Sequence, residues 1–569
     1  MYLECKVKIP DVKGKIYRNK LKGITYINYE YDRIYKPEKK YNIPKRTTIG
    51  KLCVDSPDMM YPNANYLKYF PDEELPEFQG ESKRSSCLRI GAYAVIRKII
   101  RDYQLDSMIG DIIGCDTGLF LDLATYSIIT ENNAGQYYPD YAYNHPLFTN
   151  EMKVYSDSKV SEFLKDITVD HSIEFLNRWN ELRDHRERIY ISYDSTNKAC
   201  QAGDIEIAEF GHSKDGQDKP ITNYAIAYDR NNREPLFYEN YPGSIVDVSQ
   251  LQYMLEKAKG YGYKKVGFIL DRGYFSKENI HYMDSCGYDF VIMAKGIKSF
   301  ISDLILKNKG SFENARSSSI REYGVNGITI RKRLFPSDEK ERYMHVYYSS
   351  HKYAGEKESV EARIDFMAES LKKLEGKQAV VGSGYDKYFD LIYYHEGQEE
   401  QKFMYGRERY EVIDREIELC GYFVIITSKK MTAKEALCLY KSRDGSEKLF
   451  RGDKSYLGNK SIRSHTNESF NAKILIEFVA LIIRNKIYTS LKDETLRLEK
   501  KANYMTVTAA IKELEKIELI KQFNGNYVLD HAVTARQKTI LKAFGMDARS
   551  IKEKVAQIGE ELVLNKGLE

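Results

Sequence analysis

The 569-residue sequence has few of the features that mark membrane, secreted or zinc-binding chains. Its longest apolar run, ILIEFVALII at 474–483, contains Glu477 and is too short to span a bilayer, so it predicts a buried helix. The amino-terminal residues lack the apolar stretch of a signal peptide. The eight cysteines include no C-x-x-C pair, which argues against a zinc ribbon or a disulfide framework. We therefore expect reduced cysteines, a cytoplasmic location and no membrane partner.

The sequence also lacks a strong overall charge. A net charge of only +5 does not by itself predict a nucleic-acid partner. Such a partner can be inferred only where Lys and Arg cluster locally. Residues 1–51 hold 14 Lys and Arg against 5 Asp and Glu, interleaved with Tyr and Ile. This stretch predicts short antiparallel strands. Two interpretations of its charge stay open, a surface that contacts the DNA backbone or an ordinary solvated face.

The remaining pattern is that of a globular protein with several domains. The chain is 42% hydrophobic and 30% charged, and its length predicts three or four domains. Residues 86–184 carry apolar side chains at helical spacing and predict a bundle. From residue 188 strands follow, and KKVGFILD, a helix capped by Ser276 and YDFVIMAK form a βαβ unit, which predicts a partly parallel sheet. Residues 300–420 break this rhythm and predict an inserted subdomain.

Two aspartates follow apolar strands in this part of the chain. Asp194 ends RIYISYD, and Asp271 ends the strand in KKVGFILD. Taken alone, either aspartate is better explained as a turn former or a helix cap. If the two strands lie side by side and parallel, both carboxylates emerge at one edge of the sheet.

A third acid lies in YKSRDGSEKLFRGDK, residues 440–454, within a helix that begins with a capping box of Thr432 and Glu435. On one continuous helix Tyr440, Arg443, Glu447 and Lys454 share a face, provided that packing or a ligand compensates for Gly445 and Gly452. Glu447 would then complete a cluster of three carboxylates, which suits Mg²⁺ or Mn²⁺. Surface ion pairs remain the alternative for Arg443 and Lys454, and Asp444 and Asp453 are alternative acids nearby.

These segments resemble a known family. YDST, FILDRGY and the Tyr-Arg-Glu-Lys series of residues 440–454 are similar to the three catalytic motifs of insertion-sequence DDE transposases. The group is the one with a Tyr-Arg-Glu-Lys signature, insertion-sequence family 4 in the broad sense. NIPKRTTIGKL near the amino terminus, GHSKDGQDKP at 211–220 and YPGSIVD at 241–247 are similar to its 1634-type branch.

The resemblance implies an α/β fold with an RNase H-like catalytic core. This core is a mixed five-stranded sheet flanked by helices and interrupted by a mainly β insertion. Asp194, Asp271 and Glu447 would be the catalytic acids that bind two Mg²⁺ or Mn²⁺ ions. The implied DNA-binding residues, on the motifs or beside them, are Tyr440, Arg443, Lys454 and, as further candidates, Arg272 and Lys214.

Six regions follow from the patterns and the resemblance together. They are a basic β-rich DNA-binding region at 1–85, a helical domain at 86–184, the first part of the RNase H-like core at 185–299, the insertion at 300–420, the last part of the core at 421–495 and a helical carboxy-terminal region at 496–569.

The implied activity is DNA transposition. Such an enzyme binds the terminal inverted repeats of its own insertion sequence, cleaves DNA and joins the 3′-hydroxyl ends to target DNA by two-metal-ion phosphoryl transfer. Its partners would be double-stranded DNA and a second copy in a homodimeric synaptic complex, on the nucleoid of a prokaryotic cell. Two alternatives remain, an RNase H-fold nuclease and a domesticated DNA-binding protein without catalysis.

Overall fold

The computed structural model describes residues 2–3, 5–21, 23–37, 40–54, 56–71, 84–183, 188–200, 204–214, 216, 218–294, 298–394, 401–458, 461–499, 502–522 and 527–564. In these residues the chain is mixed α/β, with one large mixed sheet and many helices. None of the helices within these ranges is long and apolar enough to cross a bilayer.

The amino-terminal residues fold into an antiparallel sheet with one helix beside it. Its elements are β1 (Val7–Lys8), β2 (Ile16–Leu21), β3 (Ile24–Lys36), β4 (Tyr41–Leu52), β5 (Met59–Pro62) and α1 (Ala64–Tyr69). The strands lie in the order β1-β5-β4-β3-β2. The sheet packs on α1 around a small separate core, whose buried members are Val7, Ile27, Ile49, Met60 and Tyr66.

Helices dominate the next segment, as the spacing of its apolar residues predicts. A short strand, β6 (Cys87–Arg89), precedes them. The helices are α2 (Gly91–Asp102), α3 (Leu105–Ile113), α4 (Thr117–Thr130), α5 (Tyr138–Tyr143), α6 (Asp157–Asp166) and α7 (Val169–Glu181).

The centre of the large sheet follows. Its elements are β7 (Ile189–Cys200), β8 (Ile221–Asp229), β9 (Glu234–Pro242), α8 (Asp247–Gly260), β10 (Val266–Leu270), α9 (Lys277–Ser285) and β11 (Asp289–Met293). The strand order is β11-β10-β7-β8-β9. β7, β10 and β11 run parallel, and β8 is antiparallel to both of its neighbours. The predicted βαβ unit is present as β10, α9 and β11, with Ser276 capping α9.

The large sheet has more strands than the five that the resemblance implies. The next elements are α10 (Lys298–Asn308), β12 (Ser319–Ile320), β13 (Val325–Arg333), β14 (Glu341–Tyr348), α11 (Ser350–Lys372), β15 (Phe389–Tyr394), β16 (Lys402–Glu408), α12 (Tyr410–Glu418) and β17 (Tyr422–Thr427). β17 pairs with β11, and β14, β13 and β12 continue the sheet beyond it.

The segment expected as one insertion, residues 300–420, therefore divides between two places. β12, β13 and β14 extend the large sheet, because the far edge of β11 is paired with β17 and the sheet continues from there. α11, the β15–β16 hairpin and α12 instead surround a small core of their own, which includes Val360, Ile364 and Phe403.

The last elements pack against earlier parts of the chain. They are α13 (Ala433–Lys441), α14 (Asp444–Tyr456), β18 (Ser461–Ile462), α15 (Asn467–Leu498), α16 (Val507–Leu514), β19 (Glu518–Lys521), β20 (Tyr527–Leu529), α17 (Ala535–Lys542) and α18 (Ala548–Leu564). The carboxy-terminal region, expected to be helical, contains α16, α17 and α18 and also two short strands, since β19 pairs with β20 and with β6. The pairing with β6 is a long-range contact that local helix propensity does not anticipate.

α15 lies in the interior and joins the helical region to the sheet. The run 474–483 is a buried helical stretch, as predicted. α15 contacts α4, α6 and α7 as well as α14 and β9. One hydrophobic core consequently includes the helices of 86–184, the large sheet and the carboxy-terminal helices.

The candidate site lies on the face of the large sheet against which α13 packs. Ile269 on β10 and Val291 on β11 pack there against Leu437 of α13. Side chains alternate between the two faces of a strand. Since Ile269 pairs with Ser192 of β7, the even-numbered residues of β7 that follow, including Asp194 and Lys198, lie on that same face.

Candidate active site

Asp194 lies on β7, and Asp271 directly follows the neighbouring parallel strand β10. Leu270 pairs with Tyr193 in the parallel ladder of β10 and β7, so the two aspartates that follow are adjacent across the sheet. Asp271 lies directly after β10, as the sequence predicts. Asp194 does not end its strand, because β7 continues to Cys200 through its pairing with β8.

The Tyr-Arg-Glu-Lys series does not lie on one continuous helix. α13 ends at Lys441 with Ser442 as its C-cap, and α14 begins at Asp444 with Arg443 at the junction. The predicted capping box of Thr432 and Glu435 is present at the start of α13. Tyr440 is in the last turn of α13 and Glu447 in the first turn of α14, so both flank Arg443.

The guanidinium of Arg443 brings the three predicted acids together. Its Nη1 atom lies 3.4 Å from Asp271 Oδ2 and 3.8 Å from Asp194 Oδ2. Its Nη2 atom donates a hydrogen bond of 2.7 Å to Glu447 Oε1. Three carboxylates from β7, from the end of β10 and from α14 therefore surround one cationic group.

Tyr440 completes this arrangement from the buried side. Its hydroxyl donates to Asp271 Oδ1 at 3.3 Å, while its ring packs in the core beneath α13. Burial raises the pKa of Tyr440, and the negative charge of Asp271 adds to that effect despite Arg443. The phenol consequently stays protonated at neutral pH and acts as a donor.

The exposure of the three acids increases from the sheet to the helix. The side chains of Asp194, Asp271 and Glu447 are 18%, 36% and 51% exposed. Burial raises the pKa of Asp194 to about 6, although Arg443, Lys214 and the backbone N–H of Ser195 favour its charged form. Burial opposes the charge of Arg443, but Asp194 and Asp271 raise its pKa above the ordinary value.

These acids have the chemistry to hold a divalent cation, although the described residues include no ready-made group of three metal ligands. Carboxylate oxygens are the donors that Mg²⁺ and Mn²⁺ prefer. Arg443 neutralises only one of the three negative charges that surround it. The residues therefore fit a cation in place of the guanidinium, once Arg443 has moved away.

Lys214 lies beside Asp194 and is held by other groups. Its Nζ atom contacts Asp247 Oδ2 at 2.8 Å and donates to the backbone oxygen of Ser195 at 2.8 Å. The Tyr241 hydroxyl donates to the other oxygen of Asp247 at 2.7 Å. These contacts join the segments GHSKDGQDKP and YPGSIVD, and Asp247, Ser195 and Tyr241 are site neighbours that sequence reasoning missed.

Arg272 and Lys454 lie apart from the cluster. Arg272 is exposed at the start of a 3₁₀ turn directly after Asp271. Lys454 is half-buried in the last turn of α14, seven residues beyond Glu447 and so about two helical turns away. The hydrogen bonds and ion pairs described above for the three acids involve other side chains.

A second charged cluster lies four residues further along β7. Lys198 is fully buried, and its Nζ atom contacts Asp453 Oδ2 of α14 at 2.6 Å and also Glu477 of α15. Asp453 is fully buried too and so is removed from the open site. Burial opposes the charge of Lys198, but its two acidic partners raise its pKa above the ordinary value. Sequence reasoning missed this cluster entirely.

Both glycines of α14 are explained by close packing. A Cβ atom on Gly445 would lie 2.9 Å from the ring of Tyr228 on β8, and one on Gly452 would lie 2.8 Å from Arg484 of α15. At Gly445 the helix therefore approaches the sheet more closely than a larger residue allows, whereas at Gly452 a larger residue would have to displace the end of the Arg484 side chain. This packing compensates for the two glycines that the sequence left unexplained.

Residues 188–483, just over half of the chain, match the family described as transposase DDE domain. The chain belongs to this DDE transposase family. The matched range begins just before β7 and ends within α15, so the DDE domain contains all three acids, Arg443 and the buried Lys198 cluster. No curated protein matches the chain.

Two solved transposase structures are similar to parts of the DDE transposase chain. One is the cryo-EM structure of the piggyBac transposase synaptic complex with hairpin DNA, at 9% identity and a TM-score of 0.31, covering 71% of this chain and 65% of that one. The other is the Mos1 transposase paired-end complex with the left transposon end, at 13% identity and a TM-score of 0.14, covering 24% of this chain and 50% of that one. Both TM-scores are too low to establish a shared fold.

Proposed function

We propose that this chain is a DNA transposase that binds the terminal inverted repeats of its insertion sequence, cleaves DNA and joins the 3′-hydroxyl ends to target DNA. In this proposal β7, β8, β9, β10 and β11 are the RNase H-like core, with Asp194 on its first strand and Asp271 after its fourth. The Tyr-Arg-Glu-Lys series supports placement in insertion-sequence family 4 in the broad sense, and the segments NIPKRTTIGKL, GHSKDGQDKP and YPGSIVD support its 1634-type branch.

One observation carries the proposal. Asp194, Asp271 and Glu447 all reach the guanidinium of Arg443, within the range that matches the DDE domain. More than 170 residues separate Asp271 from Glu447 in the sequence, so local structure does not bring them together. The convergence supports these three residues as the catalytic acids, and the range that matches the DDE domain includes all of them.

The acids would hold two Mg²⁺ or Mn²⁺ ions between them. Such ions supply an activated water or 3′-hydroxyl and stabilise the leaving oxygen of an in-line displacement. The chain's own part is to fix the ligands. β7 and β10 are rigid neighbouring strands, and the backbone N–H groups of Ser195 and Arg272 each bind an oxygen of the preceding aspartate.

Arg443 changes partner in this proposal. It pairs with the three acids in the chain without DNA, and it turns to a phosphate near the transposon end when cations enter. A guanidinium binds either carboxylate or phosphate well through its planar fork of donors. Tyr440 keeps Asp271 oriented, while Lys454 and the exposed Arg272 contact DNA further from the acids. Lys214 orients Asp194 and Asp247 and borders the DNA path.

The regions predicted from the sequence have matching roles. Residues 1–85 bind DNA, 86–184 support the core and 300–420 extend it, while 496–569 complete the helical side. Two copies pair the two transposon ends in a homodimeric synaptic complex, on the nucleoid of a prokaryotic cell.

The test is a cleavage assay on a short duplex that carries the end of the flanking element. We expect strand cleavage with Mg²⁺, none with EDTA, and none from Asp271→Asn at equal DNA binding. Joining of the cleaved 3′ end to a supercoiled plasmid separates a transposase from an RNase H-fold nuclease, which cleaves without joining. DNA binding without any cleavage by the unaltered chain contradicts the proposal and favours a non-catalytic DNA-binding protein.

A further inference from the structure

The two longest strands of the amino-terminal sheet extend beyond the rest of that sheet. β2 pairs with β3 only as far as Tyr29, and β5 pairs with β4 only from Gly50 onward. In the described part of the chain, segments 30–36 and 41–46 pair with each other, and Glu30 at their base also donates a backbone hydrogen bond to the Lys15 oxygen. Together with Lys40 in the turn between them, they form a projecting two-stranded antiparallel ribbon, which we call the β-ribbon.

The β-ribbon is basic and exposed on both faces. Its described residues include five cationic side chains and one exposed acid, Asp32; the cations are Arg33, Lys36, Lys40, Lys45 and Arg46. It also presents large apolar and aromatic side chains to solvent, namely Tyr31, Ile34, Tyr35 and Tyr41, with Tyr35 58% exposed. Neither face of the β-ribbon is covered. Its cationic side chains suit an anionic partner, and its exposed aromatic and apolar side chains suit a partner that also has flat apolar surfaces. This composition therefore favours a binding surface over an ordinary solvated strand pair.

The base of the β-ribbon is held firmly. Glu30 is 2% exposed, and its two oxygens accept hydrogen bonds from Arg33 Nε at 2.5 Å and Arg46 Nε at 3.1 Å. The Arg46 guanidinium lies 3.6 Å from the ring centroid of Tyr17 on β2. Tyr31 stacks on Tyr69 of α1. Arg33 remains 61% exposed despite its contact with Glu30.

The size of the β-ribbon suits a DNA groove. Seven strand residues span about 20 Å, and paired strands lie about 5 Å apart. The major groove of B-DNA, about 12 Å wide, admits a two-stranded β-ribbon. The deep, narrow major groove of A-form RNA does not, so duplex DNA fits this element better than duplex RNA.

One face of the β-ribbon carries side chains suited to reading bases. Residues paired across two antiparallel strands lie on the same face, and Tyr35 pairs with Asn42 while Arg33 pairs with Pro44. Asn forms bidentate contacts with adenine, and Arg forms them with guanine. We propose that the β-ribbon enters the major groove of the transposon end and reads its sequence through Asn42, Tyr35 and Arg33, while Lys36, Lys40 and Lys45 contact phosphates.

This inference rests on the proposed function, because it assigns the recognition of the inverted repeat to a particular element. The other occupant to consider is a second copy of the chain that adds a strand to the β-ribbon. Pro44 removes a backbone donor from β4, and charged edges oppose strand addition. Charge complementarity therefore favours DNA, and self-association is one of the outcomes that the experiment distinguishes.

The first test is selection from a random duplex DNA library by the full-length chain in EDTA, so that cleavage plays no part. We expect the unaltered chain to enrich a motif, and Asn42→Ala to lose the preference at one or two adjacent positions with about a 10-fold or greater loss for that motif. Asn19→Ala, an exposed asparagine on β2 outside the β-ribbon, is the matched control and should select the unaltered motif.

The second test measures the salt dependence of binding to one fixed duplex. Combined substitution of Lys36, Lys40 and Lys45 by Gln should lower the slope by about three, since each phosphate contact contributes about 0.9. The control replaces three exposed lysines at and beyond the end of α11, Lys372, Lys373 and Lys377, and should leave the slope unchanged.

Several results overturn the inference. The unaltered chain could enrich no motif, or Asn42→Ala could select the same motif with the same affinity. The triple lysine variant could keep the salt slope of the unaltered chain. The β-ribbon variants could also lose dimers while their DNA selection stays unchanged. The last result identifies a protein interface instead. A motif that depends on Asn42 in a chain that never cleaves DNA keeps this inference and contradicts the proposed function. If the chain cleaves end DNA and Asn42→Ala still selects the same end, the proposed function is kept and this inference is contradicted.

Discussion

Two charged clusters lie four residues apart on β7. Both consist of acidic side chains around one cationic group, but they differ in burial and in the role that we assign to them. Around Asp194, three acids from three elements surround Arg443 at a partly open edge of the sheet. Around Lys198, two acids from two helices surround a fully buried ammonium. Both clusters connect β7 to α14, so the same helix carries Glu447 in one and Asp453 in the other.

The difference lies in solvent access and charge balance. The open cluster has more acids than its cation neutralises, and Glu447 is half exposed, so the cation can be exchanged. The buried cluster is closed, and burial raises the pKa of Glu477 well above its ordinary value, with Asp453 adding to the effect. A protonated Glu477 leaves Lys198 and Asp453 as a balanced pair. We infer that the buried cluster fixes α14 so that the open one can act.

The largest expected effect is on stability, from Lys198→Met. The substitution leaves Asp453 buried without its cation, which costs about 3–5 kcal/mol of unfolding free energy. Denaturant unfolding measures the loss. The comparison variant, Arg443→Met, removes the cation of the open cluster and should cost only about 1 kcal/mol, because solvent reaches Asp271 and Glu447. Equal losses from the two variants would remove the distinction between the clusters.

The next largest effect is on catalysis, from Glu447→Gln. Loss of a charged metal ligand should lower cleavage of end DNA about 1,000-fold or more, which corresponds to roughly 4 kcal/mol of transition-state stabilisation. Binding of the same duplex and the thermal midpoint should change little, since Glu447 is half exposed. Asp444→Asn is the matched control on the same turn, because Asp444 pairs with Lys448 and points away from the acids. Retained cleavage by Glu447→Gln excludes Glu447 from the site.

A smaller effect on binding is expected from Arg443→Gln. Without the guanidinium, the acids should bind Mn²⁺ more tightly in the absence of DNA, which titration followed by the electron paramagnetic resonance of Mn²⁺ measures. The salt slope for end DNA should fall by about one, since one phosphate contact is lost. If Mn²⁺ affinity and salt slope both stay unchanged, Arg443 does not exchange between acids and phosphate.

The smallest effect is expected from Glu477→Gln, the counterpart of Glu447→Gln in the buried cluster. Glutamine has the shape and neutrality of a protonated Glu477, so stability at acidic pH, where Glu477 is protonated in both the folded and the unfolded chain, should change by less than about 1 kcal/mol. Because folding raises the pKa of Glu477, the stability it contributes is present at low pH and is lost as pH rises through the folded value. The variant should therefore lose less stability than the unaltered chain on going to alkaline pH. A parallel pH profile in both proteins means that Glu477 is ionised throughout.

The sequence predicted those parts of the site whose signals are local. The βαβ unit, the cap at Ser276 and the capping box of Thr432 follow from short-range rules, and the structure confirms each one. The spacing of Tyr440, Arg443 and Glu447 also predicted a shared surface, although the helix breaks at Ser442 and Arg443. A short turn between two helices hardly changes the sequence spacing of the residues that face the same side. The break at this turn is therefore not visible in the sequence pattern.

The parts that were missed depend on distant residues. Lys198 contacts Asp453 and Glu477 across 255 and 279 positions, and a lysine in a strand normally predicts an exposed side chain. Asp194 was expected at a strand end, but pairing with β8 extends β7 past it. β19 pairs with β6, which lies far earlier in the chain, as well as with β20. No local pattern contains this information.

The most direct test of the central claim is anomalous scattering from Mn²⁺ in crystals of the full chain bound to duplex DNA of the element's end. We expect anomalous peaks within coordination distance of carboxylate oxygens of Asp194, Asp271 and Glu447, with Arg443 turned to a phosphate. Peaks at other residues, or Arg443 still bridging the three acids in a complex that holds both Mn²⁺ and DNA, would contradict it.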